Sequence, residues 1–292
     1  MMENPAPLAS ALAILAAMQF AGGTLLAKRG LESTNSVTGA LISIATSALV
    51  YWLLMPFAVE LHDWRSPAVL IFAAIGLLRP SVSTMLAYEG TRRLGPTISA
   101  TLASFSPLFA MAGAVLFLSE TLRPTTLAGI VGVVVGIMVL SGRGGARRGW
   151  TTSALLFPVG AALIRASAHV GAKWGLNLLP SVVMSGLVAY TVSLLVALAI
   201  TLARGDKALP DMRSEGLKWF VAAGLLNAGA IFALNTGLMI GEVVVVSPLV
   251  ATYPLFTMLG SRLFYGQEAL TRRTVAGVLL VVPSVMLITL AR

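Results

Sequence analysis

Apolar runs of spanning length follow one another along the whole chain, with short polar joints between them. A helix of roughly 20 residues crosses the hydrocarbon of a bilayer. Ten such runs can be placed, at 7–27, 37–59, 68–90, 95–117, 123–141, 151–173, 181–203, 216–238, 243–265 and 272–290. The longest polar joint, Arg204 to Glu215, is too short for a soluble domain. Two runs are broken near the middle by proline. The fourth contains Phe105-Ser106-Pro107-Leu108-Phe109 and the ninth Thr252-Tyr253-Pro254-Leu255-Phe256. A proline removes one amide and frees the carbonyl four residues back. In lipid that is tolerated only where protein or a water-filled cavity meets the freed group. Segments four and nine are therefore expected to bend near Pro107 and Pro254 and to face an interior, not the lipid.

The pattern is written twice. Ala27-Lys28-Arg29-Gly30-Leu31 is echoed by Ala172-Lys173-Trp174-Gly175-Leu176, and Gly76-Leu77-Leu78-Arg79 by Gly224-Leu225-Leu226-Asn227. Pro107-Leu108-Phe109 returns as Pro254-Leu255-Phe256, Glu120-Thr121-Leu122 as Glu268-Ala269-Leu270, and Ala128-Gly129 as Ala276-Gly277. The offsets are 145, 148, 147, 148 and 148 residues, close to half of 292. Five echoes in order at a near-constant offset indicate a duplication. The halves are 1–145 and 146–292, with five segments each. An odd number of crossings per unit puts the second unit in the membrane upside down.

Composition fits this class. Hydrophobic residues make up 57% of the chain, charged residues 11%, and the mean hydropathy is +0.90, against about 25% charged in a soluble domain. There is no cysteine, and the two histidines, His62 and His169, have no cluster around them, so neither a disulfide nor a zinc site is expected. The net charge of +9 sits in short loops beside apolar runs, where it suits anionic headgroups rather than nucleic acid. Met1 to Pro7 has no basic segment of the signal-peptide kind, so a cleaved leader is not expected.

These residues resemble the drug/metabolite transporter superfamily, EamA type. The resemblance rests on the five-plus-five count, the paired Pro-Leu-Phe, and a glutamate and glycine entering segments five and ten (Glu120 and Gly129, Glu268 and Gly277). It implies an all-α bundle of ten transmembrane helices, two inverted repeats around a central cavity lined by segments 1, 3, 4, 6, 8 and 9. Within the superfamily the chain looks most like the amino-acid exporters, including one for aromatic amino acids.

Charge inside a membrane costs roughly 2.5–3.5 kcal/mol per group at a helix centre, so it marks function. Two basic residues lie mid-segment, Arg79 and Arg165. Arg165, His169 and Lys173 fall at i, i+4 and i+8 on one helix face. They predict a positive groove for a substrate carboxylate. The plainer alternative is that Arg79 caps carbonyls freed near Pro80 and Lys173 snorkels to the interface. Asn227 stands at the repeat position of Arg79, with Asn235 two turns on; they bind substrate or glue helices. Thr97, Thr101 and Ser104 form a weaker polar stripe. Phe20, Phe105, Phe232 and Tyr253 are candidate walls of an apolar pocket. Gly132 and Gly136 make a close-packing face, internal or dimeric. Glu120 and Glu268 read as acidic residues at the start of the helices that follow them.

No Asp or Glu lies in the middle of a segment; Glu89 and Glu242 are near ends. A proton relay or a drug-cation site would want one. There is no P-loop and no clustered nucleophile, base or metal set, so neither ATP-driven transport nor an enzyme is indicated. The expectation is a cofactor-free, passive or exchanging exporter of amino acids, neutral and apolar or aromatic. Its partners are a small-molecule substrate and the bilayer of the inner or plasma membrane, and it is a monomer or weak homodimer. The alternatives are another anionic or zwitterionic metabolite as cargo or, in a different class, a membrane enzyme or lipid-handling protein. On orientation two indications part. Fourteen basic residues lie on the side of loops 1–2, 3–4, 5–6, 7–8 and 9–10, and four on the other, which puts both termini outside the cytoplasm. The resemblance implies both inside.

Overall fold

The computed structural model of the protein describes residues 6–94, 96–141, 152–203, 215–265 and 272–290. Helices occupy each predicted run: α1 (Ala6–Gly30), α2 (Ser36–Ala58), α3 (Ala68–Leu77 and Ser83–Leu94), α4 (Pro96–Ala103 and Ser106–Leu118), α5 (Pro124–Ser141), α6 (Leu156–Leu178), α7 (Val182–Ala203), α8 (Gly216–Ile240), α9 (Val243–Val250 and Tyr253–Tyr265) and α10 (Arg272–Leu290). No strand occurs among the described residues. Among the described residues six helices are long and apolar enough to cross a membrane, and four further apolar helices are shorter.

The chain is inside-out relative to a soluble protein. Large apolar residues face outward, among them Phe57, Leu70, Leu116, Leu202 and Leu263. Some of the closest helix contacts are made by small residues. On α1 the buried stripe is Ala9, Ala13, Ala16, Ala17, Ala21 and Gly23, and it lies against α8. Small residues let backbones approach closely, which is how helices gain packing energy where lipid supplies no hydrophobic drive.

The duplication is visible in the contacts. α1 packs on α8 and α9, and α6 packs on α3 and α4; α2 packs on α8, and α7 on α3. α2 meets α7, α4 meets α9 and α5 meets α10. Exchanging each helix for the one five places on maps this set onto itself, as a pseudo-two-fold axis requires. Atomic detail follows. A Cβ on Gly76 would lie 2.4 Å from the Ala189 carbonyl of α7, and one on Gly224 would lie 2.6 Å from the Ser43 carbonyl of α2. The hydroxyl of Ser193 donates to the Gly76 carbonyl, and that of Ser47 to the Gly224 carbonyl, each at 2.8 Å. α5 and α10 close the set. Gly129, Gly132 and Gly136 face Ile288, Ser284, Val281 and Gly277, so this glycine face is used inside the chain.

The proline breaks take a more specific form than a bend. α4 stops at Ala103 and restarts at Ser106; α9 stops at Val250 and restarts at Tyr253. Pro107 and Pro254 sit in the first turn of the restarted pieces, where no amide is needed. Pro107 still leaves the Ala103 carbonyl without its helical partner, and the Arg165 guanidinium donates to it at 3.4 Å. α3 breaks as well, at Leu78–Val82, where Arg79 has extended φ/ψ (−127°, 139°). Its counterpart α8 runs unbroken through Asn227.

Candidate functional site

Two cavities meet in the middle of the bundle. The larger, about 580 Å³, lies between α1, α3, α4, α6, α8 and α9 and is lined by Phe20, Arg79, Pro107, Arg165, Tyr253 and Pro254 among others. The smaller, about 260 Å³, reaches toward α2 and α7 and is lined by Ser43, Ser47, Arg79, Tyr190, Ser193 and Asn235 among others. Phe20, Arg79, His169 and Asn227 line both, so they form the wall where the two spaces join. No carboxylate lines either cavity among the described residues.

The breaks in α3, α4 and α9 build this site. Because α3 is unwound at Arg79, its guanidinium stands at the junction, and the Arg79 carbonyl is taken by the Ser193 hydroxyl. The guanidinium itself makes no hydrogen bond or ion pair among the described residues. Arg79 therefore does not cap the carbonyls near Pro80. Arg165 projects from α6 into the larger cavity; one of its five N–H donors goes to the Ala103 carbonyl, and among the described residues the others have no hydrogen-bond partner. His169, one turn on, is buried, with Nδ1 2.8 Å from the Ser247 hydroxyl of α9. Asn227 donates to Ser43 at 3.3 Å and Asn235 to Ser185 at 3.1 Å. Both amides thus join helices as well as line cavities.

Lys173 does not share the cavity with Arg165 and His169. Its ammonium donates to the Leu238 carbonyl at 2.7 Å and the Gly241 carbonyl at 2.8 Å, closing the C-terminus of α8. This is a cap, not snorkelling. Glu120 has the complementary place. The amides of Val243 and Val244 donate to its two oxygens at 2.8 and 2.9 Å. It does serve a helix start, but that of α9 in the other half, not that of α5 next to it. Glu268 and the side chains of Thr97 and Thr101 lie outside the described residues.

Of the four candidate aromatic walls, Phe20 and Tyr253 line cavities, whereas Phe105 and Phe232 line neither. Phe105 stands immediately before the restarted piece of α4, and Phe232 is 42% exposed on the outer face of α8. The sequence reading missed the hydroxyl wall from α2 and α7: Ser43, Ser47, Ser185, Tyr190 and Ser193. Serine in an apolar helix usually bonds its own turn and gives no signal. The one available clue was that Ser47 and Ser193 stand a repeat apart.

The family described as EamA-like transporter family matches residues 7–142 and 152–290. No curated protein matches the chain. Among solved structures, one crystal structure of a protein with 15% sequence identity superposes on it with a TM-score of 0.81, covering 97% of this chain and 96% of that one. At that identity the likeness speaks for the fold, and it extends over nearly the whole of both chains.

Proposed function

Because the chain belongs to the EamA-like transporter family, and is therefore an integral membrane transporter of small solutes, we propose that it carries solutes anchored by a carboxylate, amino acids first among them. The observation behind this reading is the pair of guanidiniums, Arg79 and Arg165, on one central cavity with no carboxylate among its described lining residues. A guanidinium in such a place lacks a counter-charge, and a carboxylate supplies one in the bidentate geometry that suits it. Phe20, Tyr253 and Met258 give the larger cavity an apolar side, which suits a neutral, apolar or aromatic side chain. One methylene changes binding in an apolar pocket by about 1–3 kcal/mol at most, so the side-chain preference is broad.

In this reading all ten helices cross the membrane, the halves 1–145 and 146–292 are inverted, and the breaks in α4 and α9 let the halves rock about the site. The protein is a monomer or a weak homodimer, its close-packing glycines being used between α5 and α10, and resides in the inner or plasma membrane. No carboxylate lines either cavity among the described residues to offer a proton relay, so transport runs down the solute's gradient or by exchange. A second reading, an anionic metabolite without an ammonium group, draws on the same pair of arginines.

The test is a substrate panel in proteoliposomes: neutral, acidic and basic amino acids, dicarboxylates, polyamines and a lipophilic cation. Neutral amino acids should move without an imposed pH gradient, and polyamines and lipophilic cations should not. Flux of cations with none of carboxylates would overturn the proposal.

A further inference from the structure

A single carboxylate answers one guanidinium and leaves the other unanswered. We infer that Arg165 forms a subsite for a second negative charge, brought by a second carboxylate of the substrate or by a small anion bound beside it. The inference rests on the carboxylate reading above.

The repeat register shows how the two charges are placed. Lys173 repeats Lys28 at an offset of 145 residues, so Arg165 repeats Phe20 and His169 repeats Thr24. These last four all line the larger cavity. At the offset of 148 residues Arg79 repeats Asn227, and both line it too. Each arginine thus has a neutral counterpart. The two arginines stand on α3 and α6, which pack on each other, and their counterparts on α8 and α1, which do the same. One flank of the cavity therefore carries two positive charges, and its pseudo-symmetric partner carries an amide and an aromatic ring.

Among the described lining residues nothing neutralises the charged flank. A guanidinium keeps its charge at any working pH. Arg79 has no hydrogen bond or ion pair among the described residues, and Arg165 has only the neutral Ala103 carbonyl. Acidic residues near the helix ends are committed elsewhere, Glu89 to Arg93 and Glu120 to the amides of Val243 and Val244. Two like charges on neighbouring helices repel each other, and each is costly to strip of water without a partner. One carboxylate satisfies one guanidinium in the bidentate manner. With that carboxylate on Arg79, where the cavities join, Arg165 still faces the larger cavity without a counter-charge. A dicarboxylic amino acid supplies both negative groups itself. A neutral amino acid supplies one, and a halide completes the pair.

The experiment uses the purified full chain in liposomes with radiolabelled L-phenylalanine as probe. Unlabelled phenylalanine, L-glutamate and L-glutamine compete, in chloride buffer and in one where a bulky organic sulfonate replaces chloride. Glutamate and glutamine share a shape and differ by one charge. A substrate-borne second charge makes glutamate compete at least about tenfold better than glutamine without chloride, the scale of one hydrogen bond to a charged group. A separate ion makes chloride improve phenylalanine and glutamine by a similar factor. Either effect supports the subsite and identifies its source. Arg165→Gln should abolish the effect, and Arg165→Lys, which keeps the charge, should retain it. If the effect persists in Arg165→Gln, the assignment to Arg165 is overturned. If glutamate and glutamine compete alike in the wild-type protein and chloride changes nothing, the second subsite is refuted while the carboxylate anchor stands. If no carboxylate-bearing solute competes or moves, the carboxylate reading fails and the subsite fails with it.

Discussion

α3 and α8 hold equivalent places in the two repeats, yet one is broken and the other is not. Both are crossed closely at a glycine, Gly76 or Gly224, and both have that glycine's carbonyl capped by a serine from the partner repeat. One turn later they diverge. α3 carries Arg79 and Pro80 and unwinds; α8 carries Asn227 and Ala228 and continues. The shared part is packing, which both copies need in order to form the bundle. The divergent part lies at the junction of the cavities, where one copy supplies a charge and the other an amide. A duplicated scaffold can keep its contacts symmetric and still bind an asymmetric solute, provided the difference is confined to positions that face the cavity.

The most direct way to break this contrast is to make the copies alike. Arg79→Asn should remove the anchor and weaken substrate binding by about 1.5–3 kcal/mol, the range for a hydrogen bond to a charged group. Asn227→Ala should cost less, since Asn227 also serves helix packing. Equal losses in binding titrations of the two purified variants would show that the copies contribute alike. The shared part is tested at the crossings. Gly76→Ala and Gly224→Ala each place a Cβ against a backbone carbonyl, and each should destabilise the protein by about 1–3 kcal/mol. Thermal unfolding in detergent should show the two shifts to be similar; a shift in only one would mean the crossings are not equivalent. The smallest effect is expected at the cap joining the halves. Glu120→Ala should lower stability by about 0.5–2 kcal/mol, as for the loss of a helix cap, and leave phenylalanine competition unchanged.

The fold was legible because apolar runs, paired prolines and a constant offset are features of the chain itself. The candidate site was legible where charge made it so: Arg79 and Arg165 stand out against an apolar background, and both line the larger cavity. Azimuth was the weak point. α8 is apolar almost all round apart from Asn227 and Asn235, which mark an inner face, and nothing in its sequence says that Phe232 faces outward. Serines were the second gap, because Ser47 and Ser193 look like any helical serine until the partner carbonyl is in place. Glu120 was the third. Its spacing from α5 suggested a local role, while its actual partners, Val243 and Val244, lie more than a hundred residues away.

The two ends of the α8–α9 turn are held by side chains from elsewhere, Lys173 on one side and Glu120 on the other. The first amides of a helix normally have no partner in their own helix and exchange their protons readily with water. In this turn the amides of Val243 and Val244 are bound to a carboxylate carried at the end of α4. Their protons exchange when the Glu120 carboxylate lets go of them, so their exchange rate reports how often the contact between the end of α4 and the start of α9 opens. Deuterium uptake at Val243 and Val244 therefore reads the opening of a contact between the two repeats without an attached probe.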